Sequence, residues 1–273
     1  MFSSVFLVIV LIVLYLCDMQ QRKTFYVAGL VGLAMLLVGC RSHYQLSGVE
    51  RSRILVDSRY DVADASLETL MAPWKQEVEK EMAPVVGEAA DYMPVERPES
   101  GLSNLLADIL VWAGKKYGEQ PDFGVYNMGG IRAAIAKGKV TVGDVTEVAP
   151  FENKIAFVSL KGSDVIELFR QMATTGGEAV SHGVQLVFTK DKQLRSALLN
   201  GQAIDPEREY RVASIDYLIQ GTDKMEAFKK KTRVNSPQEE SNNVRYIIMD
   251  YFREQMAEGK AVYRSVEGRI VIE

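Results

Sequence analysis

Histidine and cysteine are as scarce as tryptophan in this 273-residue chain, with two of each. Both cysteines, Cys17 and Cys40, fall in the first forty residues, so the remainder has neither a disulfide framework nor thiol chemistry. The histidines, His43 and His182, stand far apart, and no Asp-x-His or Gly-Asn-His run occurs. A metal centre that needs several imidazole ligands cannot be assembled from them. His182 follows Ser181, but adjacency in sequence does not set a base against a nucleophile. A polar residue beside the turn glycine Gly183 is the plainer reading. Excess positive charge is also missing: the chain carries 32 Lys and Arg against 36 Asp and Glu, a formal net charge of −4. That disfavours a nucleic-acid partner. There is no internal repeat and no low-complexity tract.

The hydrophobic runs are concentrated at the N-terminus. Phe2 to Cys17 form one, and a second unit follows with a basic start at Arg22-Lys23, an apolar stretch from Phe25 to Leu36, and Leu37-Val38-Gly39-Cys40. The second unit reads as an export signal ending in a bacterial lipobox, with Cys40 the residue to be acylated. Several acyl chains, at about 0.8 kcal/mol per buried methylene, give stable anchoring. Met19 then becomes the expected start, with residues 1–18 an upstream extension. The rival is a two-helix membrane hairpin, but both runs fall short of the roughly 18 uninterrupted apolar residues a span needs. Taking Arg22 and Lys23 from the basic residues and Asp18 from the acidic ones leaves 30 against 35, about −5 for the mature part. The expected location is the bacterial cell envelope, lipid-anchored and facing the periplasm.

Residues 41–62 are polar and aperiodic and read as a tether. The rest, 63–273, is expected to be one folded domain with ample length for a core. Between Ala63 and Met82, Leu67, Leu70, Met71, Trp74 and Val78 recur at helical spacing. Such a stripe normally faces a core, and a partner-facing surface anchored on Trp74 is the sharper alternative. Val85 to Met93 reads as a strand, and Ser100 caps a helix to Tyr117 with Leu102, Leu105, Leu106, Ile109 and Leu110 inward. Further strands are expected at 123–126, 139–141, 154–160, 183–189, 193–199 and 209–215, and helices within 142–148 and at 163–172. Residues 232–239 are polar and expected to be mobile, Ser241 to Met256 a helix, and Val262 to Ile272 a terminal strand. Short strands mixed with long helices, without regular βαβ spacing, predict an α+β fold with mixed β-sheets covered by helices.

Three segments carry chemistry. Asn127-Met128-Gly129-Gly130-Ile131-Arg132 follows an apolar strand: Gly129 and Gly130 let backbone approach a ligand, Asn127 offers donor and acceptor, and Arg132 offers a planar fork for phosphate oxygens. Plain turn chemistry is the alternative for the glycine pair. Pro150-Phe151-Glu152-Asn153 precedes a strand, and Asp216-Tyr217 through Gly221-Thr222-Asp223 follows one. Phe151 and Tyr217 could sandwich a flat heterocycle, each face contributing on the order of 1–3 kcal/mol. Asn153 and Asp223 could fix its orientation. Core aromatics and a turn aspartate are the competing reading. Lys229-Lys230-Lys231 reads as a solvated loop.

In this order, with Pro98-Glu99-Ser100-Gly101-Leu102-Ser103-Asn104-Leu105-Leu106-Ala107-Asp108 ahead of them and Tyr210-Arg211-Val212-Ala213 before Tyr217, the motifs resemble the C-terminal, substrate-binding domain of the 5'-nucleotidases. That family includes UDP-sugar hydrolase and ecto-5'-nucleotidase. The likeness spans roughly residues 84 to 228. It implies Phe151 and Tyr217 as a base clamp, Asn127, Asn153 and Asp223 as contacts to base or ribose, and Arg132 as a phosphate contact. Arg97, displaced by about one place from the family's phosphate-side arginine, is a further contact by the same resemblance. Two departures stand out. The usual Gly-Gly-Asp-Gly reads Gly221-Thr222-Asp223-Lys224, and Tyr217 replaces the more common phenylalanine.

In the family the hydrolytic metals sit in an N-terminal metallophosphatase domain, to which the likeness does not extend. The expectation is therefore the nucleotide-binding half of a split 5'-nucleotidase in nucleotide catabolism. It would bind a nucleoside 5'-monophosphate or related nucleotide with no cofactor of its own, beside a separate metallophosphatase chain that holds the divalent metal ions. A nucleoside-capture lipoprotein without catalysis, or a structural module whose site has decayed, are the alternatives.

Overall fold

The computed structural model of the protein describes residues 46–60 and 64–273. Cys40, the two apolar runs and His43 lie outside the described residues. Residues 46–57 have no regular structure, and Ser58–Tyr60 form one turn of 3-10 helix with Asp57 bonded to the Arg59 guanidinium at 2.8 Å. Residues 63–273 make up a separate compact unit.

That unit contains five helices among the described residues: α1 (Ala65–Met82), α2 (Gly101–Ala113), α3 (Val142–Val148), α4 (Gly162–Thr175) and α5 (Val244–Ala257). Its strands are β1 (Val85–Ala89), β2 (Phe123–Tyr126), β3 (Gly138–Thr141), β4 (Ile155–Lys161), β5 (Ala179–Val180), β6 (Val184–Phe188), β7 (Leu194–Leu199), β8 (Gln202–Ala203), β9 (Glu209–Ile215), β10 (Thr232–Asn235) and β11 (Ile270–Ile272). They form a central sheet of order β10-β4-β9-β2-β5, a second of order β11-β6-β7-β8, and the pair β1-β3. The two larger sheets both mix parallel and antiparallel pairs, so the fold is α+β with mixed sheets, as the pattern predicts. Every residue of β2 is buried, and all of β4 except Lys161. Alternate residues point to opposite faces of a strand, so both faces of the central sheet are covered.

Local chemistry explains the element ends. Ser100 accepts the Ser103 N–H at 3.1 Å while Ser103 Oγ accepts the Ser100 N–H at 2.9 Å, a reciprocal cap that starts α2. Its inward face, Leu102, Leu105, Leu106, Ile109 and Leu110, is buried throughout. The helix tightens to a 3-10 turn over Gly114–Tyr117 and stops where Gly118 turns left-handed.

Three expectations are corrected. The stripe on α1 is not core: no residue of this helix is buried, and Trp74 is 69% exposed. Only its C-terminal end meets the rest of the unit, where Met82 lies against Gly143 of α3. Residues 232–235, expected as part of a loop, form edge strand β10 against β4. The strand is held because Asn235 Nδ2 and Arg211 both donate to Glu119, at 2.8 Å and 2.6 Å. The terminal strand shrinks to Ile270–Ile272, with Val262 making only an isolated bridge to Ala89. Between them Arg264 and Arg269 turn inward onto Asp108, which interrupts any ladder.

Candidate functional site

Strand order brings the three motif segments together. β2 and β9 run parallel side by side, with Phe123 opposite Val212, and β4 runs antiparallel to β9, with Ile155 opposite Ile215. The C-terminal ends of β2 and β9 and the start of β4 therefore share one edge of the sheet. Asn127, the Pro150–Asn153 loop and the Tyr217–Asp223 loop all leave from that edge. They enclose a cavity of about 220 Å³ lined by Asn127, Gly129, Phe151, Asn153, Tyr217 and Asp223. Phe151 is 48% exposed and Tyr217 38%, and neither stacks on another ring among the described residues. They are surface rings, not core ones.

Asp223 is the polar centre. Its Oδ2 accepts from Asn127 Nδ2 at 2.8 Å and its Oδ1 from the Tyr217 hydroxyl at 3.0 Å. That second bond, the largest cause, lifts the Tyr217 phenol above its ordinary range. The loop reaches this position through three left-handed residues, Gly221, Asp223 and Lys224, with Thr222 Oγ1 donating back to the Tyr217 carbonyl at 2.6 Å. The missing glycines thus leave the aspartate in the cavity, with Lys224 in the conformation a glycine would adopt freely.

Gly129 and Gly130 have different roles. A Cβ on Gly130 would stand 2.5 Å from Asn127 Oδ1, which is buried and without a hydrogen-bond partner, whereas a Cβ on Gly129 would meet only Asn127 Nδ2, at 4.0 Å. Only Gly129 lines the cavity. Arg132 is exposed at the rim, with Nη1 donating to the Gly129 carbonyl at 3.2 Å, and does not line the cavity. Arg97 is also outside the lining: it pairs at 3.0 Å with Glu178, whose other oxygen accepts the Met128 N–H at 2.6 Å. Glu178, with a side chain only 2% exposed, supports the glycine turn from beneath. Nothing in the spacing around it marks that role.

A larger hollow of about 650 Å³ lies elsewhere, lined in part by Asp108, Trp112, His182, Arg264 and Glu267. Its charges are matched with one another: Asp108 with Arg264 and Arg269, and Glu267 with Arg269 and, at 3.0 Å, His182 Nδ1. Ser181 Oγ accepts the Gly124 N–H at 2.8 Å, and no hydrogen bond joins it to the imidazole, so no nucleophile–base pair is built there. Among the described residues no three His, Cys, Asp or Glu side chains gather as metal ligands.

Residues 84–230, over half of the chain, match the family described as the 5'-nucleotidase C-terminal domain. A cell wall protein of Listeria monocytogenes is 27% identical over 196 residues, covering 66% of this chain and 24% of that protein. The protein UshA of Yersinia enterocolitica is 27% identical over 164 residues, covering 59% and 30%. The crystal structure of a 5'-nucleotidase precursor from Thermus thermophilus superposes with a TM-score of 0.64 at 29% identity, over 76% of this chain and 43% of that one. The chain thus spans about a quarter to less than half the length of these relatives, and the stretch matched to the family, residues 84–230, contains the strand ends that form the cavity. It belongs to the 5'-nucleotidase C-terminal domain family.

Proposed function

We propose that the cavity at this sheet edge holds the base of a nucleoside or nucleoside 5'-monophosphate between Phe151 and Tyr217, with phosphate-ester hydrolysis supplied by a metallophosphatase on a separate chain. The supporting observation is that two exposed, unstacked rings from distant segments meet at one small cavity whose polar groups are Asn127, Asn153 and Asp223. Asn127 and Asp223 hold each other in place, so a ribose or base edge meets a preset acceptor. Arg132, paired with no carboxylate among the described residues, is the phosphate contact, and Arg97 props the turn from behind. Divalent metals on the partner chain would polarise the phosphate and activate water. The exposed face of α1 around Trp74 is the surface on which that chain docks. Cys40 anchors the protein by lipid in the cell envelope, periplasm-facing, a location compatible with a cell wall protein among the relatives.

Calorimetry with adenosine and AMP tests the site. Phe151→Ala and Tyr217→Ala should each weaken both ligands by about 1–3 kcal/mol, the value of one base–aromatic face. Arg132→Ala should weaken AMP far more than adenosine, and equal losses would remove the phosphate role. The split enzyme is tested separately, by mixing the protein with a metallophosphatase encoded beside it. Absence of phosphate release from AMP with added divalent metal sinks that part. One observation favours a decayed site: at about 220 Å³ the empty cleft is below the ~300 Å³ usual for small-molecule sites. Wild-type protein that binds neither ligand would establish that reading instead.

A further inference from the structure

We propose that the start of the C-terminal helix α5, Asn243 to Arg245, is a clamp that positions Phe151 and Asn153 and so fixes the width of the cleft. The inference rests on the reading of the cleft given above. It assigns the positioning to a segment outside residues 84–230, the part matched to the family.

Several ties bind the loop to that segment. Arg245 Nη2 donates to the Pro150 carbonyl at 2.6 Å, and the Val244 N–H donates to the Asn153 carbonyl at 2.9 Å. Lys154 Nζ donates to the Glu152 carbonyl at 3.2 Å and to Asn243 Oδ1, and Lys154 and Asn243 also pair as a backbone bridge. These ties bracket Phe151 on both sides. The ring itself is half exposed and stacks on no other aromatic among the described residues, so its place is set by the backbone beneath it.

Two features separate this arrangement from ordinary helix packing. Asn243 occupies the N-cap of α5, a position its side chain is well suited to cap, yet it makes no capping bond, and its Oδ1 serves Lys154 instead. Arg245 leaves its Nε buried without a partner while its Nη2 holds Pro150. Buried donors are nearly always matched, so this guanidinium is committed to the loop at the expense of its own hydrogen bonding. Burial pushes the phenol of Tyr126, the residue before Asn127, upward, and the Arg245 charge opposes that push.

The test uses the full chain with 4-fluorophenylalanine at position 151, read by its fluorine resonance without ligand. Arg245→Ala is expected to shift and broaden that resonance and Arg245→Lys to restore it. Arg253→Ala, on an exposed position of the same helix, should leave it unchanged. If Arg245→Ala does not fold, Arg245→Gln, too short to reach Pro150, carries the same expectation. An unmoved resonance overturns the clamp whether or not the cleft binds nucleosides. With adenosine as probe, Arg245→Ala should weaken binding about tenfold, and AMP by the same factor, because the ring and not the phosphate contact has moved. In a Phe151→Ala background the Arg245 change should cost clearly less than in the wild type, and fully additive losses would also overturn the proposal. Wild-type protein that binds no adenosine would sink the reading of the cleft, and the fluorine result would still decide the clamp.

Discussion

Lys224 adopts a φ of +65° directly after Asp223 at +51°, two successive left-handed residues with side chains. Each such residue costs about 1–2 kcal/mol relative to the right-handed region, whereas glycine adds back roughly 0.5–1 kcal/mol through its looser unfolded chain. Lys224→Gly should therefore stabilise the protein by roughly 0.5–1 kcal/mol in urea unfolding. A loss of stability would mean that the lysine side chain supports the loop. Asp223 offers no such freedom, because the Tyr217 hydroxyl and Asn127 amide both depend on its carboxylate. Of the site residues expected from the three motifs and their family resemblance, Asn127, Gly129, Phe151, Asn153, Tyr217 and Asp223 line one cavity because the motifs sit at strand ends, whereas Gly130, Arg132 and Arg97 lie outside its lining. Glu178, Asn243 and Arg245 were illegible because their roles depend on contacts across 50 or more residues, which no local pattern encodes.

Most of the elements were readable from periodicity, but the burial of an element was not. The stripe on α1 and the stripe on α2 have the same helical spacing, and only packing distinguishes them: Trp74 is 69% exposed and Leu105 is fully buried. The central sheet is covered on both faces without α1, so the α1 stripe is left in solvent. The difference is measurable. Leu105→Ala opens a cavity and should cost about 2–5 kcal/mol. Trp74→Ala should change stability by no more than about 0.5 kcal/mol, as for other surface sites. A large loss at Trp74 would return α1 to the core and remove it as a docking face. Edge strand β10 shows the opposite failure of pattern. Thr232–Asn235 look like loop because they are polar, and they pair because Glu119 and Arg211 bind them from the side.

At the scale of the whole molecule, distant segments are joined by carboxylates that must stay ionised. Glu119, its side chain 16% exposed, takes a two-pronged bond from Arg211 at 2.6 and 2.8 Å and a third from Asn235, linking the loop ahead of β2 to β9 and β10. Glu267 pairs with the buried Arg269 at 3.0 Å and helps seat the C-terminal segment on α2. The Arg211 hydrogen bonds hold the Glu119 carboxyl below the usual carboxylate range, and Arg269 does the same for Glu267. A carboxylate depressed in the folded state contributes stability that is fully present above its unfolded pKa, about 4.3 for Glu. That stability is lost as pH falls through the lower folded value. Melting temperature should thus be insensitive to these two groups from neutral pH down to about 5 and should fall below about 4.3. Glu267 contributes less, because its side chain is about a third exposed and solvent screens it. Glu119→Gln, which keeps the shape and removes the charge, should lower stability at pH 7 and flatten the acid limb below about pH 4.3. The sign follows from protons bound: the unfolded wild type takes up a proton there that the folded state resists. If the variant and wild type lose stability in parallel over that range, Glu119 does not carry the linkage, and the clasp between β2, β9 and β10 rests on packing rather than on charge.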